Sequence, residues 1–262
     1  MKFNYHTHTF RCNHAETDDE AYVLAAIRRG FTTLGFADHA PYVLPAEWNS
    51  WYRMEPEQIE GYVTSLLSLR EKYKDRIDIK IGFETELYPD YFDDLLDRIR
   101  PYPIDYFILG QHYIPDESRD ENYSGREMDI SRFDAYIRTL LTAISCGRFS
   151  YIAHPDIFCF KGDEEIYRDR VTKLCLAAKE ANIPLEINMP GLARPRRYPT
   201  ERFFRIAGEV GAPVIFGCDA HNPSEISEAP IKEAYAFAER CGVTPVDHLT
   251  LRNPFTKETD DE

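Results

Sequence analysis

Eight histidines occur in the chain, and their spacing matters more than their number. His6 and His8 stand at i and i+2, Asp38 and His39 are adjacent, and Asp219 and His221 again stand two apart. His14, Glu84, His112 and His154 fall singly between these pairs. Imidazole and carboxylate together form a donor set for divalent zinc, iron or manganese. The carboxylates also offset cationic charge and can bridge two ions. His6 and His8 would enter a site together if their segment is extended, because alternate side chains of a strand share a face. An isolated His-x-His is common by chance, and its coupling to Asp219-x-His221 near the other end gives it weight. A second kind of chemistry is carried by Arg194, Arg196 and Arg197, whose guanidiniums offer bidentate donors suited to a phosphate dianion.

Residues so far apart need a fold that collects them. Seven short stretches rich in β-branched and aromatic residues recur at 2–5, 32–37, 77–83, 106–109, 151–153, 185–187 and 213–216. Between them lie stretches with the helical period, such as Ile130, Phe133, Ile137, Leu140, Leu141 and Ile144, or Ile59, Tyr62, Val63, Leu66 and Leu69. Residues 19–29 read as a helix stopped by Gly30, and Asn222-Pro223-Ser224 as the cap and first turn of a helix running towards Arg240. Strands alternating with helices imply a parallel sheet, since parallel neighbours need long crossovers. If that sheet closes into a barrel, the carboxyl ends of all strands meet on one face. His6, His8 and His14 then follow the first strand, His39 the second, Glu84 the third, His112 the fourth, His154 the fifth, and Asp219 and His221 the seventh. Only His248 stands apart. Seven imidazoles and two carboxylates converging on one cavity make sense as a multinuclear metal site, because protonating several packed imidazoles together would be costly. The longer loops, 40–55, 115–129 and 189–199, are expected to act as lids or binding segments. Pro190, Pro195 and Pro199 stiffen the last of them, and Trp48 and Trp51 are placed to wall the pocket from the first.

Composition narrows the field. The 262 residues are 43% hydrophobic and 29% charged, enough for one sizeable core, and no Gly-, Ser- or Pro-rich linker divides them, so 1–262 is read as one domain with a frayed acidic tail at 257–262. A net charge of −14 disfavours a nucleic-acid polymer as partner. No apolar run approaches the roughly twenty residues a membrane span needs, and the first twenty residues show no signal-peptide pattern, so a cytoplasmic location is expected. The six cysteines form no Cys-x-x-Cys pair and read as reduced core residues. No Gly-x-Ser-x-Gly elbow supports a covalent nucleophile, and no glycine-rich phosphate loop occurs.

In their order these residues resemble the polymerase-and-histidinol-phosphatase (PHP) superfamily. Its members carry His-x-His after strand one, a later histidine in that loop, an Asp-His pair, a glutamate, two single histidines and a terminal Asp-x-His. Here these are His6-Thr7-His8, His14, Asp38-His39, Glu84, His112, His154 and Asp219-Ala220-His221, spread over 1–223. Cys12-Asn13-His14-Ala15, Asp38-His39-Ala40-Pro41, Gly110-Gln111-His112-Tyr113, and Glu186-Ile187-Asn188 with Gly191-Leu192 are similar to the histidinol-phosphatase branch. The resemblance implies a distorted (β/α)7 TIM-like barrel with three divalent metals, zinc, iron or manganese, at the carboxyl ends of the strands. It implies that His6, His8, Glu84 and Asp219 hold one metal. Glu84 would bridge to a second, held with His112 and His154, and His14, His39 and His221 would hold the third. Asp38, Glu84 and Asp219 are the expected catalytic carboxylates, with Asp38 either handling a proton or orienting a ligand imidazole.

The activity so implied is a phosphomonoesterase that hydrolyses L-histidinol phosphate to L-histidinol and phosphate, a step of histidine biosynthesis. A metal-bridging water whose pKa is lowered towards neutrality would be the nucleophile. The chain departs from the branch at the phosphate clamp. Relatives carry basic residues directly after Gly-Leu in the strand-six loop, where Ala193 precedes Arg194 here. They also carry them five or six positions after the fifth-strand histidine, where Cys159 and Phe160 precede Lys161. The clamp is therefore expected at Arg194, with Arg197 second and Lys161 as a further candidate. A nucleotide or other small phosphate ester is the alternative substrate. A metal-dependent amidohydrolase, whose barrels also begin with His-x-His, is the alternative class, but it uses fewer histidines and often a bridging lysine, and no lysine stands at an expected strand end.

Overall fold

In the computed structural model, which describes residues 1–48, 50–194 and 196–256, seven strands form one parallel sheet. They are β1 (Phe3–Asn4), β2 (Thr33–His39), β3 (Asp78–Thr85), β4 (Tyr106–Leu109), β5 (Tyr151–Ile152), β6 (Leu185–Asn188) and β7 (Val214–Gly217), each paired with the next in sequence. The sheet nearly closes. Thr7 bridges Ala220 beyond the ends of β1 and β7, with His8 N–H donating to Ala220 O (2.9 Å) and Ala220 N–H to His6 O (3.2 Å). This is the distorted (β/α)7 barrel expected from the alternation and the resemblance. Pro195 and the tail 257–262 lie outside the described residues.

The crossovers and additions are α1 (Asp19–Arg29), α2 (Ile59–Tyr73), α3 (Pro89–Ile99), α4 (Ile130–Ser145), α5 (Glu164–Glu180), α6 (Pro190–Ala193), α7 (Glu201–Val210), α8 (Pro223–Ser227) and α9 (Ile231–Cys241). Local chemistry sets their ends. Asp18 caps α1 by accepting from Ala21 N–H (2.9 Å), and Gly30 ends it at φ +81°, a conformation glycine adopts without a Cβ clash. The single helix expected from Pro223 towards Arg240 is two, because Pro230 cannot donate an intrahelical hydrogen bond and disfavours helical geometry at Ala229. The loop 115–129 ends in a short strand, Glu127–Met128, which pairs in parallel with Cys159–Phe160. Two residues per strand leave no period to read in the sequence. Among the described residues no helix is long and apolar enough to cross a membrane.

Alternation along the strands separates two cores. Leu34 and Phe36, Ile81 and Phe83, Phe107 and Leu109, and Leu185 and Ile187 face outward into one cluster with the helices. Phe3, Tyr5, Ala37, Tyr106, Ile108, Tyr151, Ala153 and Ile215 form a second cluster with no helical member, inside the barrel, covered by Val246, Leu249 and Leu251. Tyr106 lies across this interior and donates to Tyr5 O (2.7 Å) and Phe36 O (3.1 Å). Gly35 and Gly82 leave room for it, since a Cβ at either would come within 2.6 Å of its atoms. The barrel floor is thus solid, and a polar site has only the carboxyl ends to occupy.

Candidate metal centre

The loops at that end open a cavity of about 1050 Å³, lined among others by His14, His39, Glu84, His112, His154, Asp219 and His221. His6 and His8 lie beneath it, fully buried. Glu84, at the end of β3, is the hub. Its Oε2 is 3.5 Å from His6 Nε2, 3.4 Å from His8 Nε2 and 3.2 Å from His39 Nδ1, and its Oε1 is 2.8 Å from His154 Nε2 and 3.5 Å from His112 Nε2. The two oxygens therefore face two separate groups of imidazoles. Asp219 Oδ1 lies 3.5 Å from His6 Nε2 and 3.3 Å from His8 Nε2. His14 stacks towards His39 and His221, with ring centroids 5.4 and 4.4 Å away.

Donor atoms converge in sets whose members lie within 4.8 Å of one another, including His14, His39 and His221; His6, His8 and Asp219; and His6, Glu84 and His154. His6 Nε2, His8 Nε2, His39 Nδ1, His154 Nδ1 and His221 Nε2 are all buried without a hydrogen-bonding partner. A buried polar atom left without a partner is costly, and three of these, on His6, His8 and His39, lie within 3.5 Å of Glu84 Oε2. That arrangement fits divalent cations.

The far nitrogens of the rings are held. His6 Nδ1 is 2.7 Å from Glu186 Oε1, His112 Nδ1 2.8 Å from Glu86 Oε1, and His14 Nδ1 2.7 Å from Cys12 O. These partners only accept, so each Nδ1 carries a proton and each Nε2 is the nitrogen left for a cation. Asp38 stands behind His8, 3.4 Å from its Nδ1, accepts from His39 N–H (2.9 Å) and from the Thr9 hydroxyl, and does not reach the cavity wall. Residue 38 alternates with Ala37 and His39, so its carboxylate leaves the strand on the outer side.

The PHP domain family matches residues 4–190, well over half of the chain. The chain belongs to the PHP domain family. It is 27% identical over 231 residues to a probable histidinol-phosphatase of Deinococcus radiodurans, covering 84% of this chain and 86% of that protein. It is 25% identical over 274 residues to the histidinol-phosphatase of Bacillus subtilis, covering 90% of this chain and 98% of that protein. Its fold is similar to that of a histidinol phosphate phosphatase from Lactococcus lactis solved with zinc, L-histidinol and phosphate, with a TM-score of 0.71, 19% identity, and coverage of 96% of this chain and 98% of that chain.

Electrostatics in this PHP domain favour cations over protons at the shared oxygens. Burial opposes charge on His6, but Glu186, Asp219 and Glu84 outweigh it and push its pKa up to about 10. Burial and neighbouring imidazoles hold His39 and His221 well below the usual histidine range, so these rings are neutral donors at pH 7. Burial also opposes ionisation of Glu84, yet His112, His6 and His39 keep its carboxyl well below the ordinary range.

The basic candidates divide. Arg194 Nη2 pairs with Glu225 Oε1 (2.7 Å) at the cavity edge, and its side chain is 60% exposed. Arg197 Nη1 donates to Gly125 O (2.8 Å) across the mouth. Arg196, which the clamp expectation left out, brings Nη1 to 3.3 Å from Asp219 Oδ2. Lys161 pairs with Glu127 (2.6 Å) beside a separate groove and is not part of the cavity lining. Sequence reasoning passed over Glu86, Glu186 and Asn188, whose Nδ2 donates to Asp219 Oδ2 (3.1 Å), as site residues. The Glu-x-Glu of Glu84 and Glu86 and the Glu-x-Asn of Glu186 and Asn188 carry the i, i+2 signal that drew attention to His6 and His8.

Proposed function

We propose that this PHP domain is a metal-dependent phosphomonoesterase whose substrate is L-histidinol phosphate. The observation that carries the reading is the convergence of seven imidazoles, Glu84 and Asp219 beneath a cavity rimmed by Arg194, Arg196 and Arg197. The names of the Deinococcus and Bacillus relatives, and the L-histidinol and phosphate of the Lactococcus structure, support the substrate.

His6, His8, Glu84 and Asp219 would hold one cation, Glu84 with His112 and His154 a second, and His14, His39 and His221 a third, with zinc, iron and manganese all suited to the donors. Bound there, divalent cations lower the pKa of water and neutralise charge on a phosphoryl group. The chain's own residues do the rest. Glu84 and Asp219 fix the spacing of the donor sets, and Glu186 and Glu86 orient His6 and His112. Asp38 acts through His8, as a positioning carboxylate. Arg194, Arg196 and Arg197 form the anionic-ligand side of the cavity. Arg196 is the best placed of the three, because it already lies against Asp219, while Arg194 is engaged by Glu225. Trp51, Tyr52, Tyr113 and Tyr123 give the rest of the wall an aromatic surface for the leaving alcohol.

The test is a side-by-side assay of the metal-analysed protein on L-histidinol phosphate, mononucleotides and a single-stranded oligonucleotide. Preference for the first is expected, and turnover of the oligonucleotide alone would overturn the reading. Within the active protein, Arg196→Ala should leave metal content unchanged and lower kcat/KM roughly 10- to 150-fold, the equivalent of about 1.5–3 kcal/mol for a charge-assisted contact. Arg194→Ala should cost less, since Glu225 already engages its guanidinium and its side chain is largely exposed.

A further inference from the structure

Two of the long loops meet at one buried guanidinium. Arg53, in the segment between β2 and α2, is 3% exposed. Its Nη2 ion-pairs with Glu86 Oε2 (2.9 Å) and Glu117 Oε1 (2.6 Å), and its Nε also donates to Glu117 Oε1 (2.9 Å). Nη1 donates to Ala40 O (3.3 Å) and Nη2 to the Tyr52 hydroxyl (2.7 Å). Glu117 belongs to the loop after β4 and also accepts from the Ser50 hydroxyl (2.8 Å). Glu86, fully buried just past β3, turns its other oxygen to His112 Nδ1 (2.8 Å), and His112 Nε2 faces Glu84 Oε1. A continuous buried path therefore runs from the loop carrying Glu117, through Arg53 and Glu86, to an imidazole of the metal centre. Two buried carboxylates share one cation, so removing Arg53 leaves both without their counter-charge.

We propose that Arg53 is a positioning residue for the metal centre, fixing His112 through Glu86 and holding the loop wall that bears Tyr113 and Tyr123 through Glu117. It ties cation retention at His112 to the shape of the substrate cavity. The substrate half of this proposal rests on the phosphatase reading; the metal half does not.

Full-length Arg53→Met, Arg53→Lys and Glu117→Gln proteins, loaded with zinc, decide it through zinc extraction by a chelator followed with a metallochromic dye. KM and kcat for L-histidinol phosphate are measured alongside. Carboxylate partners of ligand histidines are typically worth 10- to 100-fold in metal affinity, so Arg53→Met should release one zinc fraction faster by roughly that factor while the remaining zinc leaves at the parent rate. Arg53→Lys, which keeps the charge and loses the fork, should recover part of the retention. Glu117→Gln should hold zinc as the parent does and raise KM several-fold. Parent-like retention in a folded Arg53→Met protein overturns the proposal, as does equal acceleration of every zinc fraction, which marks general destabilisation. If Arg53→Met does not fold, parent-like retention in Arg53→Lys together with parent-like KM in Glu117→Gln overturns it. A parent protein that hydrolyses no phosphate ester would sink the phosphatase reading, while the zinc-release rates would still judge Arg53.

Discussion

At the scale of single residues, Glu84 is the group on which the rest of the centre depends. Five imidazoles lie within 3.5 Å of its two oxygens, so loss of its charge is felt by all five at once. Glu84→Ala should lower bound metal and abolish phosphatase activity together, with metal content measured by elemental analysis of the dialysed protein. A folded variant with full metal and full activity would place the chemistry elsewhere. The protonation of His6 makes a second, independent prediction. In the cation-free protein its pKa is raised to about 10, so at pH 7 the ring holds a proton that a cation must displace. Burial opposes charge on His8 too, yet Asp219 and Asp38 raise its pKa well above the usual histidine range, so zinc uptake near pH 7 should release protons and zinc affinity should rise with pH. Calorimetry in two buffers of different ionisation heat measures that release. Identical binding heats in both buffers would mean that His6 and His8 are already neutral.

At the scale of elements, the strand ends are shaped to leave room for carboxylates. A Cβ on Gly110, just past β4, would lie 2.1 Å from Glu84 Oε1, and one on Gly217, the last residue of β7, 1.7 Å from Glu186 Oε1. Two of the site residues are also held in the left-handed backbone region, His154 at φ +30° and Asp219 at φ +42°. Conformations of this kind cost about 1–3 kcal/mol each and persist where the surroundings over-determine them. For His154 the constraint is its N–H donating to Glu186 Oε2 (2.9 Å); for Asp219 it is the adjoining Thr7–Ala220 bridge. Gly110→Ala should push Glu84 off its position, lowering metal content several-fold and stability by about 1–3 kcal/mol, as overpacking does in a filled core. Metal analysis and a denaturant titration of the same sample read both effects, and an unchanged metal content would show that Glu84 has slack that its contacts do not suggest.

At the scale of the whole molecule, the filled barrel interior separates the polar end from the rest, and the layer between sheet and helices buries Cys175, Cys218 and Cys241. Cys12, Cys175, Cys218 and Cys241 are buried, and burial pushes the Cys175 thiol up to about 12 and that of Cys241 to about 11. A thiol that stays protonated reacts slowly with alkylating reagents. These four should be protected in the folded protein and modified on denaturation, as peptide mapping after iodoacetamide treatment can establish. Rapid native alkylation of Cys175 would contradict the packing of α5 against the sheet.

The periodic part of the protein can be read from the chain alone. The seven strands, the helical faces between them and the histidines at the strand ends are legible because period-2 and period-3.6 patterns and strand-end positions are local properties of the chain. Tertiary structure alone decided which groups meet across it. Glu86 behind His112, Glu186 behind His6, Arg53 between two loops and Arg196 against Asp219 are pairings between segments up to 180 residues apart in sequence. The ladder between Glu127–Met128 and Cys159–Phe160 belongs to the same class, its strands being too short to show a period, whereas the break at Pro230 has a local cause. Asp38 illustrates the boundary. Its place beside His39 is written in the sequence, but one residue of alternation sends its carboxylate behind His8 and out of the cavity, and that is settled only when the strand is laid into the barrel.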